Sequence, residues 1–256
     1  MRKIAVVNKK GGVGKTSTVV NLGAALAKRG KKVLIVDMDE QGHVAQWLSV
    51  PREGVPTTAE LLINRDIEAK ECIQNTYIKG LDVIPAKDTL GVARMQLATM
   101  GGMNFCLRKK LKKLTNYDYI FIDCPPSFET LTINACAFAD EIIVPFTLDY
   151  LNLEAVSSIA KNVKWANENI YEDIDHRVEI TGVLVTMFMK NQKITKKVMN
   201  SISKAYGDIL FKTKIPQNVK MKECIGEGQV IFDYAPSCPS ANAYEQLMGE
   251  FNERGI

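Results

Sequence analysis

Residues 9 to 17 read Lys9-Lys10-Gly11-Gly12-Val13-Gly14-Lys15-Thr16-Ser17, with an apolar run before them and a helical pattern after them. No other segment restricts the fold as much. Glycines let successive backbone N–H groups turn toward one point, and a helix starting there adds the partial positive charge of its N-terminus. The product is an anion cradle. In it Lys15 reaches the β- and γ-phosphates of a nucleotide, the Thr16 hydroxyl suits Mg2+, and Ser17 is placed for the α-phosphate. The common pattern Gly-x4-Gly-Lys-[Ser/Thr] would have glycine at position 9. Lys9 stands there instead, so the pattern departs by one residue.

A cradle of this kind needs a strand ahead of it and a helix behind it, and the rest of the chain alternates in the same way. Apolar runs predict strands at 3–8, 32–37, 81–85, 119–123, 141–146, 180–187 and 209–215. Helical spacing predicts helices at 15–29, 58–63, 92–114 with a break at Gly101-Gly102, 129–138, 153–167, 194–206 and 241–252. Strands apolar on both faces and separated by helices imply a mostly parallel, twisted α/β sheet covered by helices on both faces. With no internal repeat and no linker rich in Gly, Ser or Pro, residues 1–256 are expected to form a single domain.

Three carboxylates stand at the ends of two of these strands. Asp123 ends the run Tyr119-Ile120-Phe121-Ile122, and Asp37 and Asp39 follow Val33-Leu34-Ile35-Val36. Ligands of open parallel sheets bind beyond the carboxyl ends of the strands, where these aspartates and the glycine loop all fall. Asp123 suits Mg2+, directly or through water. Asp37 reads either as a site residue or as a hydrogen-bonding partner within its own loop.

At this point the sequence resembles the ParA/MinD superfamily of dimerising ATPases. Lys10 to Thr16 is similar to the family's deviant Walker A loop. There the first lysine, Lys10 here, reaches across a dimer to the partner's nucleotide. Val33 to His43 resembles the second family motif, and Asp39 matches the aspartate that positions the attacking water. Asp118 to Ser127 resembles the Walker B and switch segment, and the similarity continues through Leu131–Ala135, Ala139–Glu141 and Leu153-Glu154. Ile215-Pro216-Gln217-Asn218-Val219 is similar to the segment whose asparagine contacts adenine, which implies that Pro216 and Asn218 bind the nucleotide. Three positions depart from the pattern: Glu40 replaces proline, His43 replaces asparagine and Lys9 replaces glutamine.

The resemblance implies a deviant Walker A P-loop NTPase with ATP and Mg2+ as cofactors. Lys10, Lys15 and Asp39 are its expected catalytic residues. Lys10, Gly11, Gly12, Val13, Gly14, Lys15, Thr16 and Ser17 are expected to hold the nucleotide, and Thr16 and Asp123 the metal. It also implies slow basal hydrolysis, an ATP-bound homodimer, non-specific binding to double-stranded DNA, and a ParB-like or other adaptor that stimulates hydrolysis. The cargo lives in the partner, so positioning of a non-DNA cargo stays open beside DNA partition. A metabolic P-loop enzyme would need catalytic groups beyond the phosphate site, and none stands out.

Charge agrees with the DNA reading. The whole chain carries +4, but residues 190–222 hold nine lysines and one acid, Asp208, for a local +8. Such clustering is the footprint of a polyanion partner. Lys193, Lys196, Lys197, Lys220 and Lys222 are the candidate DNA contacts. A second basic run at 108–113 reads as a solvated helix face, where cations also complement the helix dipole. The last helix is acidic, which argues against membrane targeting. No operator-binding domain is expected ahead of the first strand. The six cysteines form no Cys-x-x-Cys pair and, with two histidines, suggest buried free thiols rather than zinc. A cytoplasmic protein, nucleoid-associated in its ATP state, is expected.

Overall fold

The computed structural model describes residues 1–99, 103–148, 150–189 and 193–254, with the backbone alone described for 103, 150–153 and 193–197. Its strands are β1 (Arg2–Val6), β2 (Val33–Asp37), β3 (Gln74–Asn75), β4 (Leu81–Ile84), β5 (Tyr119–Asp123), β6 (Glu141–Thr147), β7 (Glu179–Phe188) and β8 (Leu210–Pro216). The helices are α1 (Lys15–Lys28), α2 (His43–Trp47), α3 (Thr58–Ile63), α4 (Ala69–Cys72), α5 (Thr89–Thr99), α6 (Cys106–Leu111), α7 (Thr130–Phe138), α8 (Tyr150–Ala166), α9 (Lys193–Tyr206), α10 (Lys220–Gly226), α11 (Ile231–Tyr234) and α12 (Pro239–Glu253).

All eight strands form one sheet in the order β3-β4-β2-β5-β1-β6-β7-β8. Every pairing is parallel except the short β3 against β4. Side chains alternate across a strand, and here each alternate set meets its own helical layer. Ile4 and Val6 of β1 and Val33 and Ile35 of β2 pack with α1, α2, α10, α11 and α12. Ala5, Leu34 and Val36 pack with helices α3 to α9 on the opposite face. Both faces are buried, which explains why the strands read as continuous apolar runs.

Local chemistry sets the element ends. Helix α1 stops where Gly30 turns left-handed (φ 81°) and its N–H donates to Ala27 O at 2.9 Å, the usual use of glycine after a helix. Helix α3 starts at a capping box in which Thr57 N donates to Glu60 Oε2 at 2.8 Å. The expected break at Gly101-Gly102 lies outside the described residues. The run 108–113 is less solvated than its composition implies. Lys110 Nζ donates to the carbonyls of Asn64, Arg65 and Ile67, and Arg108 donates to Ala137 O. All six cysteines are free, with Cys238 alone half-buried and the rest buried.

At the amino ends of the strands, Arg2 grips Glu141 with two hydrogen bonds of 2.7 and 2.6 Å and also donates to Phe251 O. The Glu141 side chain is 4% exposed. Removing one partner strands the other charge in a poorly solvated place. Glu141→Ala is therefore expected to destabilise the fold by about 3 kcal/mol, read from urea melts. A loss below about 1 kcal/mol would show a pair governed by solvent.

Candidate functional site

Register brings three strand ends level. Val6 of β1 and Asp37 of β2 both pair with Asp123 of β5. The glycine loop, the 37–43 turn and Asp123 therefore emerge side by side. Gly12 (φ 72°) and Gly14 (φ 87°) take left-handed backbone that other residues adopt only under strain. Asn8 holds the entry to the loop: its Oδ1 accepts from Lys10 N at 2.9 Å and its Nδ2 donates to Pro145 O at 2.8 Å. Thr186 of β7 holds the middle, donating to Val13 O at 2.8 Å.

Lys15 is buried, and its Nζ donates to Lys10 O at 3.2 Å. Burial lowers its pKa, opposed by the nearby Asp123, Cys124 and Asp39. Thr16 Oγ1 donates to Asp123 Oδ2 at 2.6 Å. The other oxygen of that carboxylate, Oδ1, is buried with no hydrogen-bond partner among the described residues. Burial pushes the Asp123 carboxyl up to about 7, against the Thr16 hydrogen bond and the Lys15 charge. An orphaned buried carboxylate oxygen beside a threonine hydroxyl fits a small hard cation, which holds such a group ionised. Among the described residues no cluster of three or more His, Cys, Asp or Glu is arranged for a metal. This accords with Mg2+, which commonly takes one or two protein carboxylates and completes its shell with phosphate and water.

Asp37 is fully buried, and both of its oxygens are used within its own turn. Oδ1 accepts from Asp39 N at 3.0 Å and Oδ2 from Val44 N at 3.2 Å. Burial and the Asp123 charge raise its pKa well above the carboxylate range. Of the two sequence readings of Asp37, the loop-anchoring one describes these contacts. The adjoining Gly42 (φ 62°) also has to be glycine, because a Cβ there would lie 2.4 Å from Ala86 O. The result is a rigid turn that presents Asp39, half-buried, to the glycine loop.

Two contiguous cavities occupy this end of the sheet. One of about 530 Å3 is lined by residues including Gly11, Lys15, Thr16, Asp39, His43 and Trp47. The second, about 410 Å3, is lined by residues including Ser17, Met187, Pro216, Asn218 and Lys222. The phosphate-type and base-type candidates thus fall in adjoining spaces, with Gly12, Gly14, Ser17, Met187 and Ile225 lining both. A larger cleft, about 850 Å3, opens near the start of β7 and is lined by none of the motif residues. It lies at the wrong end of the strands for a ligand of this fold.

Several residues were not singled out in the sequence. Asn8 and Thr186 brace the loop, and Met187 lines the site in left-handed backbone (φ 50°). Trp47 closes one wall. The DNA candidates divide. Lys220 and Lys222 are exposed on α10, but Lys220 is paired with Glu223 at 2.7 Å, an acid just past the lysine-rich window. Lys193, Lys196 and Lys197 start α9, and their side chains lie outside the described residues. Among the described residues no helix is long and apolar enough to cross a membrane.

A mostly parallel sheet with a glycine loop and an aspartate at its central strand ends defines a P-loop nucleotide-binding protein. A family model described as an AAA domain, AAA_31, matches residues 1–180. The chain is 36% identical over 253 residues to the sporulation initiation inhibitor protein Soj of Bacillus subtilis, covering 98% of each chain. It is 32% identical over 257 residues to the chromosome partitioning protein ParA of Caulobacter vibrioides, covering 99% of this chain and 95% of that one. Among solved structures, the cobyrinic acid a,c-diamide synthase of Mycobacterium smegmatis, with bound ATP analog and magnesium, superposes with a TM-score of 0.83 at 27% identity, covering 99% and 95% of the two chains. The chain belongs to the Soj/ParA family of chromosome-partitioning ATPases.

Proposed function

We propose that this chain is a Mg2+-dependent, slowly hydrolysing ATPase whose ATP-bound dimer binds DNA without sequence preference and is released when an adaptor stimulates hydrolysis. The reading rests above all on one observation: the orphaned Asp123 Oδ1, the Thr16 hydroxyl, buried Lys15 and Asp39 converge beside the glycine loop. The magnesium and ATP analog named for the Mycobacterium smegmatis structure support the same ligands here. That protein is named as a synthase, but the identities to Soj and ParA, 36% and 32%, exceed its 27%.

In this reading residues 1–256 act as one ATPase domain. The amides of residues 11–17 and the Lys15 ammonium bind the phosphates, and Pro216 and Asn218 flank the base. Asn218 Oδ1 already accepts from Lys220 N at 3.0 Å, which leaves its amide N–H groups for the base. Thr16 and Asp123 would hold Mg2+, which supplies charge neutralisation at the β- and γ-phosphates. Asp39 orients the water. Lys10 supplies the second cation, to the partner's nucleotide.

Gly11 supports the dimer. Its backbone is not left-handed, and beyond its chain neighbours a Cβ there would meet no atom of the described residues within 4 Å. Among the described residues this face of the loop is open, which leaves room for a second subunit against it. Gly11→Val is expected to bind ATP as a monomer, while the unaltered chain doubles its mass with a non-hydrolysable ATP analogue in light scattering. A dimer of Gly11→Val at the wild-type concentration would contradict this arrangement. Dimerisation would unite two lysine-bearing surfaces, and doubling the phosphate contacts raises affinity and steepens its salt dependence.

A further inference from the structure

The turn that carries Asp39 continues into α2, and α2 is clamped at both ends. At its start Asp37 accepts from Val44 N. At its end Trp47 is 2% exposed, and its indole N–H donates to Gln229 O at 2.8 Å. The indole also meets Cys224 of α10. Two residues on, Ser49 takes left-handed backbone (φ 52°) and presses on Gly228 (φ 64°), where a Cβ would lie 2.1 Å from Ser49 Oγ. Gly228 and Gln229 lie two and three residues past the end of α10 at Gly226, and Lys220 and Lys222 stand in its first turn. Trp47 and Ile225 of α10 line the same cavity as Asp39.

We propose that Trp47 is a positioning residue that ties the Asp39 turn to α10, so that the γ-phosphate state sensed by the turn sets the placement of Lys220 and Lys222. A close-packed wedge of this kind transmits small displacements, because protein interiors are dense and poorly compressible. The proposal rests on the reading that the α10 lysines contact DNA. It adds a route by which ATP acts on each subunit, separate from pairing two subunits.

Trp47→Phe keeps an aromatic ring and removes the donor. In the full-length chain, assayed at saturating ATP, it is expected to leave the light-scattering dimer intact. The gain in duplex affinity between ADP and ATP is expected to fall by about fivefold, the scale of one lost hydrogen bond. The second readout uses Trp165→Phe, which replaces a half-exposed tryptophan of α8 and leaves Trp47 as the only one. Its emission is expected to differ between ADP and ATP.

A Trp47→Phe protein that keeps the full ATP gain overturns the proposal. So does Trp47 emission that is the same in both nucleotides, which covers the case where Trp47→Phe fails to fold. If the unaltered chain shows no ATP gain at all, the DNA reading itself falls, and the proposal falls with it.

Discussion

Lys15→Ala is expected to abolish nucleotide use, lowering kcat/KM for ATP by at least about 10²-fold, the scale of losing one preorganised charge-stabilising donor. The side chain is buried in the floor of the site, with Asp123 and Asp39 close by and Lys10 O accepting from its ammonium. Its charge is therefore held without water to screen it, where an electrostatic contact counts most. Alanine leaves Asp123 and Asp39 beside the incoming phosphates without the cation that offsets them. Calorimetric titration with ATP should show no binding in the range that saturates the unaltered chain. Turnover within tenfold of normal would remove Lys15 from the site.

Asp39→Ala separates binding from chemistry. Its carboxylate accepts from Gln41 N at 3.1 Å and otherwise lines the cavity, so its loss does not dismantle the phosphate cradle. The turn stays anchored, because the contacts that hold it come from Asp37. ATP affinity and the ATP dimer are expected to persist while hydrolysis falls by about 10²–10⁴-fold, the usual worth of a positioned proton acceptor. Single-turnover phosphate release measures it. Normal turnover would mean that another group orients the water.

Much of this was written in the chain. The strand Tyr119–Asp123 and the helix Thr58–Ile63 lie where the sequence places them; one is a closed apolar run, and the other follows a proline turn and is fixed in the structure by the Thr57–Glu60 box. Helix α2 was not readable. It has five residues, too short for a periodic pattern, and opens on a left-handed glycine instead of a capping side chain. Helix α10 was hidden because its lysines draw attention as charge rather than as the start of a helix. The two-residue β3 carries no alternation at all.

The site was legible in its residue types and less so in its wiring. An aspartate at a strand end is ambiguous from sequence; the fold decides that Asp37 spends both oxygens on its own turn while Asp123 keeps one unpartnered among the described residues. The Lys220–Glu223 pair has the i,i+3 spacing of helical neighbours, but recognising it requires knowing that the segment is helical. Trp47 had no signal, because its role depends on contacts some 180 residues further along the chain.

The central claim, an ATP-gated DNA clamp, is tested most directly by binding to two unrelated duplexes across a salt series. The conditions are no nucleotide, ADP, ATP, and ATP with Lys10→Ala. The account predicts equal affinity for both duplexes in ATP alone, a steep fall with salt, and loss of binding in Lys10→Ala. Equal binding with and without ATP, or none under any condition, would contradict it.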